Sequence, residues 1–167
     1  RNYYAALARA LEAAQNEILI SGLCFTGNYL LRRPTTDQPN DEFKVLSDIL
    51  FERAEAGVNI FITMFNEVRI VNTVNYSSSE QKDFLGKLHQ NIHVVRHPDH
   101  FGSEGMFVWT HHEKLVIIDK TIAFVGGIDI TLSRYDWHAH PLVDSGKVQN
   151  FPGIDFNNEC IMGFSEG

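Results

Sequence analysis

Cysteine is scarce in this sequence of 167 residues, which contains only Cys24 and Cys160. The two residues lie far apart and form no CxxC pair, so the sequence indicates neither a zinc site nor a disulfide framework. We expect two ordinary reduced thiols. Long apolar runs are missing as well, because no stretch approaches the ~20 residues that a membrane-spanning helix needs.

Positive charge is also in short supply. Fourteen Lys and Arg residues stand against 21 Asp and Glu residues, which gives a formal net charge of −7. This balance argues against a protein that binds nucleic acid through a large basic surface, and no nucleic-acid partner is expected. The sequence has no internal repeat. It starts at Arg1 rather than at Met, and we expect a piece of a longer polypeptide.

The hydrophobic fraction of 44% and the charged fraction of 21% are typical of a soluble globular domain, and residues 1–167 fit one such unit. Apolar periodicity predicts helices, which span residues 2–15, 41–56 (with Asp41 as N-cap and Gly57 as the C′ stop) and about 77–89 (after a capping signal at Ser77–Ser79). It also predicts strands, which span residues 18–20, 58–64, 92–95, 107–109, 115–118 and 122–125. Residues 32–40, 97–105 and those beyond 129 are predicted to be loop-rich.

Helices that alternate with apolar strands predict an α/β fold with a mixed, mostly β-sheet core flanked by helices. The strand over 58–64 is apolar almost throughout, which is typical of a strand buried on both faces. Asp119 and Lys120 are predicted to form the hairpin turn between the last two strands.

The residues most suggestive of chemistry are His112 and Lys114. They lie two apart on a predicted strand, so their side chains should share one face of the sheet. An imidazole beside an ammonium group suits a phosphodiester, since lysine supplies positive charge to phosphate oxygens and histidine can attack phosphorus or move a proton. A polar strand face would produce the same spacing without any such chemistry.

Two glycines follow at a fixed distance from this pair. The next strand returns antiparallel and should bring Gly126 and Gly127 back beside the strand of His112, where glycine lets a phosphate approach the backbone closely. Other histidines lie at metal-ligand spacing, namely His97 with His100 and His138 with His140. No Asp, Glu or Cys completes either pair, so we expect polar loop histidines and no metal.

The pattern HxKxxxxD followed by Gly-Gly consists here of His112, Lys114, Asp119, Gly126 and Gly127, and it resembles the signature of the phospholipase D superfamily. The longer run HHEKLVIIDKTIAFVGGID (residues 111–129) is similar to the first of two such motifs in the eukaryotic enzymes. Two flanking segments also resemble that family, namely RHPDH (96–100) and SRYDWHAHPLVD (133–144). The resemblance implies that the chain is one half of a bilobed phospholipase D-like fold.

The resemblance also implies residue roles. His112 matches the histidine that attacks phosphorus, and Lys114 matches the phosphate-binding lysine. Asp119 matches the motif aspartate, whose expected role is to tie the turn. Asp144 matches a carboxylate that holds the other ring nitrogen of the nucleophile. Gly126, Gly127 and Asp129 match substrate-binding positions, but Gly127 and Asp129 stand where many members have Ser and Asn, which removes one hydroxyl and one amide from phosphate binding.

The implied activity is hydrolysis of glycerophospholipids such as phosphatidylcholine to phosphatidic acid and a free headgroup, through a phosphohistidine and without a cofactor or metal. The implied setting is a phospholipid membrane surface on the cytoplasmic side, with a peripheral attachment. A second HxKxxxxD is missing from the 167 residues, so the partner motif is expected elsewhere in the same chain or on another chain. The resemblance leaves open the headgroup, the membrane, the regulator (a phosphoinositide or a small GTPase) and which histidine is the nucleophile.

Two alternatives remain at this point. A nuclease-like phosphodiesterase with a single motif would assemble its site by forming a homodimer. A catalytically silent half-domain would serve only as a structural or regulatory partner. The acidic charge disfavours the first alternative, and loss of activity on substitution of His112 would argue against the second.

Overall fold

The computed structural model describes residues 3–34, 40–67, 77–98, 111–136 and 140. Their helices and strands follow one another as α1 (Tyr3–Glu12), β1 (Glu17–Gly22), β2 (Leu30–Arg32), β3 (Lys44–Val45), α2 (Leu46–Glu55), β4 (Asn59–Phe65), α3 (Ser78–Gly86), β5 (Ile92–His97), β6 (Lys114–Ile118) and β7 (Ile122–Val125). The α/β class predicted from the sequence is confirmed.

A five-stranded mixed sheet forms the centre of the described chain, in the order β5-β4-β1-β6-β7. Strands β1, β4 and β5 run parallel, whereas β6 pairs antiparallel with β1 and β7 pairs antiparallel with β6. The short strands β2 and β3 pair separately. Because β6 opposes its neighbour β1, the start of β6 lies at the sheet edge where the parallel strands end.

The core lies on one face of this sheet. The apolar stripes of α1 (Tyr4, Leu7, Ala8, Leu11) and α2 (Leu46, Ile49, Leu50, Ala54) are buried as their helical spacing predicts. They pack with alternate residues of β1, β4 and β6 in one hydrophobic cluster. The prediction that β4 is buried on both faces is wrong, because burial alternates along the strand and Phe61 remains 44% exposed.

Several elements differ from the predictions. Helix α2 starts at Leu46 rather than after Asp41, because Lys44 and Val45 pair with β2 and the Leu46 N–H donates to the Tyr29 carbonyl. Strand β2 was not predicted, and its last residue, Arg32, falls in the loop predicted over 32–40. Helix α3 ends at Gly86, before His89. The N–H groups of Lys87 and Leu88 donate to carbonyl oxygens three residues back, which replaces the α-helical pattern with a tighter turn.

The predicted turns are largely confirmed. Gly57 follows α2 with a φ of +91°, and the neighbouring N–H of Val58 closes back onto Arg53. Asp119 and Lys120 both have positive φ in the turn between β6 and β7. Helix α3 begins at the predicted capping signal, Ser77–Ser79, but the side chain of Ser77 makes no capping hydrogen bond. The predicted strand over 107–109 lies outside the described residues.

Candidate functional site at the carboxyl edge of the sheet

The predicted catalytic pair lies where β1, β4 and β5 end and β6 begins. Gly22, the last residue of β1, pairs with Lys114, the first residue of β6, and on its other side with Met64 of β4. The carboxyl edge of parallel strands is where loops converge, so residues from separate parts of the chain meet there. We call this region the carboxyl edge.

Lys114 is held in place by one carboxylate and one backbone carbonyl. Its Nζ lies 3.4 Å from Asp129 Oδ1, and the two side chains are only 7% and 6% exposed. The same ammonium group donates to the carbonyl oxygen of His112 at 3.3 Å. A nearly buried lysine requires such partners, because an unpaired charge is costly to remove from water.

Asp129 is itself fixed from two sides. Its Oδ1 accepts the backbone N–H of Cys24 at 3.2 Å, and its carbonyl oxygen accepts the hydroxyl of buried Tyr4 at 2.8 Å. Helix α1 and the end of β1 therefore both position the carboxylate that faces Lys114. Asp129, which the family resemblance matches to a substrate-binding position, is the ion-pair partner of the lysine in the structure.

His112 lies beside this pair and is exposed. The prediction that it lies on a strand is wrong, because β6 begins two residues later at Lys114. The reason is that the ladder with β1 ends at Gly22, where β1 itself ends. That the His112 and Lys114 side chains share one face stays a prediction.

Gly126 returns to the start of β6, as the antiparallel hairpin predicts, and its N–H donates to the Lys114 carbonyl at 3.3 Å. Both Gly126 and Gly127 are exposed, and a Cβ added to either would meet no atom within 4 Å. The backbone beside Lys114 is therefore open to an approaching group. Whether phosphate uses it stays a prediction.

Asp119 lies at the opposite end of β6 from Lys114. Its carboxylate accepts three backbone N–H groups, from Gln15 (2.8 Å), Asn16 (2.8 Å) and Glu17 (2.9 Å). The hydrogen bond from Glu17 contributes most, and together the three bonds hold the pKa of Asp119 below its ordinary value. The carboxylate thus fastens the connection between α1 and β1 and does not face Lys114.

Three side chains next to His112 were not predicted as functional. Ser21 Oγ lies 3.0 Å from His111 Nε2 and 2.7 Å from Glu113 Oε1, and those two atoms lie 2.8 Å apart. Hydrogen bonds from His111 and Ser21 lower the pKa of Glu113. His111 and Glu113 both precede β6, and nothing in the sequence identifies Ser21 as their partner.

The carboxyl edge is braced by a second cluster that joins β4, α3 and β5. Glu67 follows β4 and accepts the Ser78 hydroxyl and, at 3.0 Å, the Ser78 N–H. Arg96 donates to Ser78 Oγ at 2.7 Å and lies 3.7 Å from Glu67 Oε2. Burial alone would raise the pKa of Glu67, but the Ser78 hydrogen bonds and the Arg96 charge outweigh it and lower the pKa.

The histidines weighed as metal ligands are only partly described. His97 packs edge-on against His111, with ring centroids 6.1 Å apart, and His140 bonds Asp136 at 2.6 Å. Within the described ranges, no three His, Cys, Asp or Glu residues are grouped so as to hold a metal. His100, His138 and Asp144 lie outside the described residues. None of the helices in the described part is long and apolar enough to cross a membrane.

Comparison with known proteins agrees with the motif. The phospholipase D family model matches residues 10–167. Phospholipase D zeta 1 of Arabidopsis thaliana is 39% identical over 93% of this chain, and phospholipase D1 of Mus musculus is 41% identical over 89% of it. The matched regions are only 14% and 13% of those two proteins. The chain belongs to the phospholipase D family.

A solved structure shows the same fold at low sequence identity. NucT from Helicobacter pylori superposes with a TM-score of 0.50 at 17% identity, covering 78% of this chain and 68% of that one. The fold class predicted from the sequence, a mixed sheet flanked by helices within a phospholipase D-like architecture, is thereby confirmed.

Proposed function

We propose that this chain is the first HxKxxxxD half of a phosphodiesterase that hydrolyses glycerophospholipids such as phosphatidylcholine. His112 is the nucleophile and Lys114 binds the phosphate oxygens. The observation that carries the proposal is the nearly buried Lys114–Asp129 pair directly beside exposed His112. A fixed ammonium group in a poorly hydrated position stabilises developing negative charge more strongly than a mobile surface lysine would.

The first chemical step forms a bond between a ring nitrogen of His112 and phosphorus. The bond from phosphorus to the headgroup oxygen breaks, and the alcohol leaves with a proton from an acid on the second half. Lys114 faces the phosphate oxygens on which charge accumulates. Asp144 holds the other ring nitrogen of His112 and so fixes the tautomer that can attack.

The second step consumes the phosphohistidine. Water attacks phosphorus, the second half now acts as base and takes the water proton, and the bond from phosphorus to nitrogen breaks. Phosphatidic acid is released and His112 is regenerated. A small alcohol that replaces water would yield a new phosphodiester from the same intermediate. No metal or cofactor enters this sequence of bond changes.

A second HxKxxxxD half, supplied by the same chain or by another, completes the site. Residues 1–167 form one catalytic half-domain, and the complete enzyme attaches peripherally to a membrane from the cytoplasm. The net charge of −7 favours a lipid surface approached through a local site over a polyanionic nucleic acid. The 39–41% identity to phospholipase D proteins supports the same substrate class.

Trapping the covalent intermediate tests this proposal. The complete enzyme is mixed with a short-chain phosphatidylcholine labelled with ³²P, and the reaction is quenched in alkali, which preserves phosphohistidine. We expect label on the peptide that contains His112 and none in His112→Asn, whose turnover should fall by at least ~10⁴-fold because the nucleophile is lost. His89→Asn, at a histidine paired with Glu55 away from the carboxyl edge, is the matched control. Label that persists in His112→Asn would contradict the assignment.

A further inference from the structure

His112 lies beyond the end of the hydrogen-bonded ladder, so the sheet itself does not fix it. The pairing of β1 with β6 stops at Gly22 and Lys114. A nucleophile must nevertheless be held in line with its target, since a misplacement of about 1 Å can reduce a rate by ~100-fold. Something other than the ladder has to keep His112 in register with Lys114.

The residues on both sides of His112 share one anchor. His111 and Glu113 converge on the hydroxyl of Ser21, and all three polar atoms lie within 3.0 Å of one another. We call these three residues the Ser21 triangle. Ser21 belongs to β1, which pairs with β4 and β6 at the centre of the sheet, so the anchor is rigid. The triangle fastens the chain immediately before and immediately after the nucleophile.

The hydrogen bonds of the triangle are directional. The Ser21 hydroxyl donates to Glu113 Oε1, so its oxygen is left to accept from His111 Nε2–H. The same N–H also points towards the Glu113 carboxylate. His111 Nδ1 is buried and finds no hydrogen-bond partner in the described part of the chain. The ring of His97 packs edge-on against His111. In this ring orientation Nε2 contacts both oxygen atoms of the triangle.

We infer that the Ser21 triangle is a positioning device that aligns His112 with Lys114 for attack on phosphorus. The inference rests on the proposed function. His111 and Glu113 are bound to the same hydroxyl, so the backbone of His112 between them is held in place just before the start of β6 and Lys114. Neither Ser21 nor His111 touches the reacting phosphate, so each acts through the placement of His112.

The test compares substitutions in the complete enzyme on a soluble short-chain phosphatidylcholine. Ser21→Ala and His111→Gln should each lower kcat by about 10–100-fold and leave KM within about two-fold, because alignment rather than binding is lost. The double variant should be no worse than the single ones, since either change breaks the same triangle. Ser21→Thr, which restores the hydroxyl, should recover kcat to within about three-fold of the unsubstituted enzyme.

Thr63→Ala is the matched control. Thr63 pairs with Ser21 in the neighbouring strand, so its substitution removes a hydroxyl from the same row of the sheet without touching the triangle. Its kcat should stay unchanged. The midpoint of thermal unfolding is measured for every variant. If Ser21→Ala does not fold, His111→Gln and the recovery by Ser21→Thr decide the question.

Unchanged kcat in Ser21→Ala and His111→Gln would overturn the inference, as would a loss shared equally by Thr63→Ala. Additive losses in the double variant would also overturn it, because the residues would then act separately. Failure of the proposed function has a different signature. In that case His112→Asn would retain turnover, whatever the triangle variants do.

Discussion

At the scale of single residues, the motif Asp119 and the motif Lys114 have separate tasks. Lys114 faces Asp129 and the His112 carbonyl at the carboxyl edge. Asp119 sits at the other end of the same strand and gathers three backbone N–H groups. The spacing between motif lysine and motif aspartate thus spans β6 from end to end. Lys114 lies at the candidate site, and Asp119 fixes the strand that carries Lys114.

Asp119→Ala should lower the free energy of unfolding by about 2 kcal/mol at pH 7, because three N–H groups lose a charged acceptor. The pKa of Asp119 is depressed in the folded state, so its contribution is present above the ordinary value of 3.8 and is lost as pH falls through the lower folded value. The difference between variant and unsubstituted protein should therefore shrink below about pH 4. Urea denaturation at several pH values measures it.

Lys120→Ala is the control for this experiment. Lys120 neighbours Asp119 and pairs with Glu17 at 3.1 Å, but its side chain is 77% exposed, so its loss should change the free energy of unfolding by less than about 0.5 kcal/mol. Equal effects of the two substitutions would mean that the Asp119 hydrogen bonds contribute nothing beyond a surface charge.

At the scale of helices and strands, the two glycines that end α2 and α3 differ in their backbone. Gly57 has a φ of +91°, and Gly86, the last residue of α3, has no positive φ. An added Cβ meets nothing within 4 Å at either position. Gly57→Ala should therefore destabilise the fold by about 1 kcal/mol, through backbone strain alone. Gly86→Ala should stabilise it by about 0.5 kcal/mol, since alanine restricts the unfolded chain. A midpoint of thermal unfolding that shifts in the same direction for both variants would contradict this explanation.

The cluster of Glu67, Ser78 and Arg96 joins β4, α3 and β5 through the carboxylate of Glu67. Glu67→Gln should reduce the free energy of unfolding by about 2 kcal/mol at pH 7, because Arg96 and Ser78 lose a charged partner. The lowered pKa of Glu67 means that this stabilisation is complete above its ordinary value of 4.5 and is lost as the pH falls through the folded value. Asp83→Asn on α3, an exposed carboxylate, is the control and should show little change. A pH-independent difference between Glu67→Gln and the unsubstituted protein would refute the assignment.

The sequence predicted the elements whose signals are local. The stripes of α1 and α2 repeat every three or four residues, and both helices bury them. It missed β2 and β3, because two or three residues pair only when distant chain segments meet. It also missed the Ser21 triangle, whose serine and histidine are separated by 90 positions. Contacts of that range leave no periodic pattern in the sequence.

At the scale of the whole molecule, the proposed mechanism assigns one half of a two-histidine site to the carboxyl edge of the sheet. In that mechanism His112 forms the phosphohistidine, but the leaving alcohol needs an acid, and general acid catalysis is typically worth about 10²–10⁴-fold. Hydrolysis of the intermediate then needs a base. Neither group is expected within residues 1–167, so the proposed mechanism predicts that this half is silent alone and active when paired.

The decisive measurement is choline release by purified residues 1–167, with and without the second HxKxxxxD half. Light scattering gives the oligomeric state, and circular dichroism verifies that the chain is folded. We expect no turnover by the folded monomer and turnover, abolished by His112→Asn, once the second half is added. Turnover by a homodimer alone would favour the nuclease-like architecture with a single motif. Robust turnover by a verified monomer would show that one motif suffices and would overturn the two-histidine mechanism.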